Sequence, residues 1–114
     1  MDESSLYTYN ARVLRIIDGD TIEVAFNLGF HVEICHVCRI WGVNAPEKNT
    51  EAGKLAKEWL VAQLPVDMTI IVQTMKDRSE KFGRILVKFA LDGIPVNEAI
   101  VAAGHGVPYF GGKR

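Results

Sequence analysis

Apolar and polar positions change rhythm several times along the chain, and each change marks an element. Tyr7 to Ile17 (YTYNARVLRII) is rich in β-branched and aromatic residues and reads as a strand. Asp18-Gly19 is a turn signal. Thr21 to Phe26 then alternates, with Ile22, Val24 and Phe26 on one face and Thr21, Glu23 and Ala25 on the other. Asn27-Leu28-Gly29 turns the chain into a third, long strand from Phe30 to Val43. There Val32 and Ile34 point one way, and Cys35, Val37, Arg39 and Trp41 point the other. Apolar residues on both faces suit a strand that bends or changes partner in a closed barrel.

After Asn44 the period changes. Ala52, Leu55, Ala56, Trp59, Leu60 and Gln63 fall at helical spacing, with Asn49 or Thr50 as cap and Pro65 as stop. Met68–Met75 is a fourth strand, Lys76 to Phe82 a charged loop, and Gly83 to Leu91 a fifth strand that turns at Asp92-Gly93. Asn97 can cap a short helix through Ala103, with Gly104 ending it. The tail, HGVPYFGGKR, has no period. The order predicts a mainly β (α+β) fold, a five-stranded OB-type barrel with a helix after strand 3 and a short helix after strand 5. One domain is expected over residues 1–114, with its core at about 7–110.

Composition narrows the function classes. With 48% apolar and 24% charged residues in 114, the chain is ordinary globular protein, and no apolar run suits a membrane span. The start, MDESSLYTYN, carries no signal-peptide pattern; compartment is left open, and a monomer is expected. A net charge of −1 excludes gripping nucleic acid by bulk charge. A local positive island remains between Lys76 and Lys88, with five basic against two acidic side chains. Cys35 and Cys38 form C-x-x-C, but on a strand such residues face opposite sides about 10 Å apart. They should be free structural thiols, neither a disulfide nor a metal pair.

Three charged clusters carry candidate chemistry. Asp18-Gly19-Asp20-Thr21 offers two acids at a turn, suited to a hard cation or simply to turn propensity. In RIWGVNAPE, Arg39 sits among apolar neighbours and needs a partner or a ligand. Glu47 in the same segment is either a first-turn helix charge or a base at a cleft rim. In KFGR, Lys81 and Arg84 stand at a strand start, as solvated charges or as groups facing a site. Taken together, two arginines, a carboxylate and a metal-binding acid are the parts needed to cleave a phosphodiester. Arginine forks match phosphate oxygens, a divalent cation neutralises them, and a carboxylate activates water.

These motifs — IDGDT, R-x-x-G-V-x-A-P-E, KFGR and VNEAI, in that order over about Tyr9 to Gly104 — resemble the staphylococcal nuclease (thermonuclease) family. The resemblance implies a calcium-dependent phosphodiesterase acting on DNA or RNA, preferably single-stranded, leaving 3′-phosphate ends. It implies Asp20, Asn44 and the Ala45 carbonyl as ligands of Ca²⁺ or another divalent cation. Arg39 and Arg84 would bind phosphate, Glu47 would act as base, and Lys81 and Tyr109 would contact substrate. Asn44 departs from the family, whose best-known member carries an aspartate there; one lost charge should weaken cation binding. Ala45 replaces a threonine that contributes only its carbonyl, and the loop after Glu47 is short. Tyr109 and Phe110 could stack bases or pack the barrel mouth, while Trp41 and Trp59 are expected in the core. The alternative is a catalytically weak or inactive OB domain that binds nucleic acid or protein.

Overall fold

A computed structural model describes residues 7–75 and 85–110. The strands are β1 (Thr8–Asp18), β2 (Thr21–Asn27), β3 (Glu33–Ile40), β4 (Gly42–Asn44), β5 (Thr69–Met75), β6 (Ile85–Lys88), β7 (Ala90–Leu91), β8 (Ile94–Pro95) and β9 (Val107–Tyr109). Helix α1 (Glu51–Gln63) separates β4 from β5, and α2 (Val96–Ala102) separates β8 from β9.

Five strands close into a barrel in the order β1-β2-β3-β6-β5, an OB-like, mainly β architecture. All ladders are antiparallel except β3 with β6, which run parallel at Cys38↔Ile85, Arg39↔Leu86 and Ile40↔Val87. The alternation read in β2 is one-sided in sequence, yet Ala25 is as buried as Val24, because the barrel and its flanking elements cover both faces. Val13, Ile22, Val24, Ile40, Val72 and Val87 fill the interior, and Leu60 of α1 and Ile100 of α2 join the same core.

The long third strand is two strands. Trp41 follows β3, and Gly42 takes φ +85°, the left-handed region that favours glycine. The chain then starts β4, which pairs with β9 outside the barrel at Gly42↔Tyr109, Val43↔Pro108 and Asn44↔Val107. The tail that carries no period therefore holds a strand. At the other end, residues 30–32 belong to the hairpin tip, where Phe30 and His31 both adopt positive φ. The Asp92-Gly93 turn forms as expected, both residues having positive φ, as a two-residue type I′ hairpin requires.

Helix α1 is capped by Thr50, whose hydroxyl accepts from the Gly53 N–H, and ends before Pro65. Its buried face is Gly53, Ala56 and Leu60, so Ala52, Leu55 and Gln63 lie outside it. The face is rotated because Gly53 packs against the loop before the helix. Asn97 is no cap. Pro95 precedes α2, and the Asn97 amide packs at Gly42, where an added Cβ would meet its Nδ2 at 2.6 Å. Trp59 is half-buried against the core, while Trp41 stands outside the core. Among the described residues, no helix is long and apolar enough to cross a membrane.

Both thiols are free; Cys35 is exposed and Cys38 buried, as strand alternation requires. Burial, with help from the Glu23 charge, pushes the Cys38 thiol up to about 12.

Candidate functional site

The β1–β2 turn is the most polar buried place described. Asp18 ends β1, and irregular pairing on its approach, between Val13 and Arg15 and again between Ile16 and Asp18, bends the strand there. Gly19 makes the turn possible by its size: an added Cβ would lie 2.7 Å from the Ala56 Cβ and 3.1 Å from the Ala45 Cβ. The turn is thus pressed between helix α1 and the loop after β4.

Asp20 is held from several directions. Its Oδ1 accepts from the Thr21 hydroxyl at 3.0 Å, and its Oδ2 accepts from the Ala45 N–H at 2.9 Å. Its carbonyl accepts from the Ile40 N–H at 2.8 Å. The β2–β3 register sets Thr21 opposite Arg39, which brings the guanidinium to the same corner. Arg39 Nη2 lies 3.8 Å from Asp20 Oδ2 and makes long hydrogen bonds of 3.4 Å to the Val43 carbonyl and the Asn44 Oδ1. Its guanidinium also sits 5.1 Å from the centroid of the Tyr109 ring. Arg39 is 4% exposed and Asp20 9%. A charged pair this buried is weak evidence for stability, since an apolar pair of the same volume would often serve as well. Both residues stand at the wall of a cavity.

Glu47 reaches the cavity by a different route. Its carbonyl accepts from both the Thr50 hydroxyl, at 2.6 Å, and the Thr50 N–H, at 3.0 Å. Gly53 leaves room for that carbonyl, because an added Cβ would sit 1.8 Å from the Glu47 oxygen. The backbone of Glu47 is therefore pinned to the first turn of α1, while the residue itself is exposed. The loop from Glu47 to the helix is short and fixed by these bonds.

A cavity of about 160 Å³ has Asp18, Asp20, Arg39, Asn44, Ala45 and Glu47 in its wall. Residues far apart in the chain thus meet at one place, from β1, β2, β3, β4 and the loop before α1. Tyr109 joins them through Arg39. Lys81 and Arg84 lie outside the described residues, as does all of the basic island except Lys88. Among the described residues, no three His, Cys, Asp or Glu side chains gather closely enough to hold a metal ion. The oxygen donors at the cavity are therefore a mixed set of carboxylates, the Asn44 amide and the Ala45 carbonyl.

Thr50 and Gly53 have parts in this site that the sequence-based readings do not give them, and Asp18, read there only as one of two acids at a turn, proves to be buried. Asp18 Oδ1 is buried and has no hydrogen-bond partner among the described residues. The D-G-D spelling already contained that signal. Thr50 and Gly53 hold Glu47 in place, and only the capping pattern around Thr50 hinted at it.

No known protein-family model matches the chain. Over 96 residues, 83% of this chain, it is 33% identical to a protein of Escherichia coli named an uncharacterized endonuclease. It is 32% identical over the same share to a protein of that name in Escherichia coli O157:H7. In each case the match covers 58% of the relative's own length. An uncharacterized protein of Bacillus anthracis is 30% identical over 108 residues, 90% of this chain and 48% of that protein.

Proposed function

We propose that the chain is a metal-dependent nuclease of the staphylococcal nuclease type, cleaving phosphodiesters of DNA or RNA. The observation that carries this reading is the meeting of Asp20, Arg39, Asn44 and Glu47 at one cavity on an OB-like barrel. The endonuclease name of the two Escherichia coli relatives supports it.

The residues present fit a hard divalent cation. Asp20, Asn44 Oδ1 and the Ala45 carbonyl are all oxygen donors, and Asp18 Oδ1 is a buried oxygen with no partner among the described residues. Calcium suits such a set, with an affinity reduced by the neutral Asn44. When bound, the cation neutralises and polarises the phosphate. The chain supplies the rest. Arg39, its planar fork preset over Tyr109, donates N–H groups to the phosphate oxygens and stabilises the charge added in the transition state. Arg84 supplies a second fork, and Lys81 and Tyr109 hold the neighbouring part of the strand. Glu47 takes the proton of the attacking water. Water adds at phosphorus and the 5′ oxygen leaves, so a 3′-phosphate remains.

A single-stranded oligonucleotide with a 5′ label tests this. Cleavage supported by Ca²⁺, abolished by chelator and yielding 3′-phosphate ends is the expected outcome. One observation favours a second reading, a silent binding domain: the Asn44 amide oxygen already accepts from Arg39. Binding that persists in chelator, with no cleavage in Ca²⁺, Mg²⁺ or Mn²⁺, would establish that reading instead.

A further inference from the structure

Two of the oxygens assigned to the divalent cation are already engaged by a cation of the chain's own. Arg39 Nη2 lies 3.8 Å from Asp20 Oδ2 and donates to Asn44 Oδ1 at 3.4 Å. The partners of this guanidinium are of two kinds. The Val43 carbonyl, at 3.4 Å, and the Tyr109 ring, 5.1 Å away at its centroid, belong to the paired strands β4 and β9 and are not among the cation's donors. Asp20 Oδ2 and Asn44 Oδ1 are donors that a hard divalent cation needs. Asp20 has acceptor positions to share: Thr21 and Ala45 each supply it one hydrogen bond, and a carboxylate offers about four.

The contacts of the second kind are loose. Charge-assisted bonds usually run at about 2.7–2.9 Å, so contacts of 3.4 and 3.8 Å are easily given up. The compensation of the charge is not. Arg39 is almost wholly buried, so water cannot replace the oxygens it loses. A divalent ion on the same oxygens also repels it. Binding of that ion alone therefore leaves a buried guanidinium short of acceptors beside a like charge. A phosphodiester restores what is lost, because its oxygens match the guanidinium fork.

We infer that Arg39 is a placeholder: it occupies the oxygens of Asp20 and Asn44 until a phosphodiester draws it off, so that cation and phosphate bind cooperatively by exchange at these two residues. Asn44 suits the exchange because a neutral amide holds the guanidinium less tightly than a second carboxylate would. The β4–β9 ladder fixes the backbone of Asn44, so the guanidinium is the part that moves. The exchange rests on the metal-dependent reading of the site.

Calorimetric titration of the full chain with Ca²⁺ tests it, without and with saturating diethyl phosphate, a phosphodiester that carries no base. The diester should tighten Ca²⁺ binding about tenfold. Arg39→Met should bind Ca²⁺ alone about tenfold more tightly than the parent and lose the response to the diester. Lys48, exposed at the wall of the same cavity, controls for bulk charge: Lys48→Met should change Ca²⁺ affinity less than about twofold. If Arg39→Met fails to fold, the two titrations of the parent decide. Ca²⁺ binding that ignores the diester, that is no tighter in Arg39→Met, or that tightens equally in Lys48→Met overturns the exchange, while metal-dependent cleavage keeps the nuclease reading intact. Coupled binding without cleavage upholds the exchange and overturns that reading. No binding of Ca²⁺, Mg²⁺ or Mn²⁺ by either chain overturns both.

Discussion

The two ends of the β2–β3 ladder are built in opposite ways. At one end Thr21 pairs with Arg39, and Asp20, Thr21 and Arg39 are buried polar groups. At the other, Asn27 pairs with Glu33, and Leu28, Phe30, Val32 and Ile34 stand exposed, Phe30 by 97%. The ends are six ladder steps, about 20 Å, apart. Hydrophobic burial alone would have arranged them the other way round. The polar end carries a cost in desolvation, offset in part by the bonds that Asp20 accepts from Thr21 and Ala45 and by its pairing with Arg39. The apolar end carries strain without burial, since Phe30 and His31 both occupy the left-handed region. Changes at the first end should therefore cost activity, and changes at the second should not.

The largest effect is expected from Arg39→Met. It removes the buried fork and leaves Asp20 with only neutral partners. Cleavage should fall about 10²–10³-fold, and urea unfolding should lose about 3 kcal/mol. Unchanged stability would mean that the 3.8 Å pair contributes nothing to the fold. Next comes Gly53→Ala, whose methyl would collide with the Glu47 carbonyl. A loss of about 1–3 kcal/mol is expected, together with a kcat that falls more than KM rises. Equal kcat would show that the loop can shift without moving the carboxylate.

At the far end, Phe30→Asn should raise stability by about 1 kcal/mol, because asparagine tolerates positive φ. Cleavage should not change, and a tenfold loss would bring the hairpin tip into the site. The smallest effect concerns the thiols. In the native chain a maleimide should label Cys35 and spare Cys38, with mass spectrometry reading one adduct before unfolding and two after. Since burial raises the Cys38 thiol from 9.0 to about 12, the unfolded state ionises first as pH rises. The contribution of this thiol to stability is whole below pH 9.0 and declines as pH climbs from there towards about 12.

The barrel was legible in the sequence because period and turn signals are local. Asp92-Gly93, the Thr50 cap and the stop before Pro65 all follow from a few adjacent residues. What was not legible depends on partners elsewhere. The break at Gly42 follows from the approach of Asn97 and Phe110, and the rotated face of α1 follows from the Glu47 carbonyl at Gly53. Strand β9 has no period because three residues are too few to display one. For the site, Asp20, Arg39 and Glu47 stood out as types that act together, and Asn44 and Ala45 only through the family resemblance; all five have a place in the wall of one cavity. Asp18 was legible only as one of two acids suited to a cation or to a turn, because nothing local says that its oxygen is buried without a partner among the described residues.

The most direct measurement is the rate of single-strand cleavage by Glu47→Gln, at saturating Ca²⁺ and with the thermal midpoint recorded alongside. Glu47 is exposed and anchored through its backbone, so the midpoint should stay within about a degree of the parent. The rate constant should fall about 10²–10⁴-fold. A variant that folds equally well and cleaves at the parent rate would contradict the account, because the carboxylate at the cavity's rim would then have no part in the chemistry.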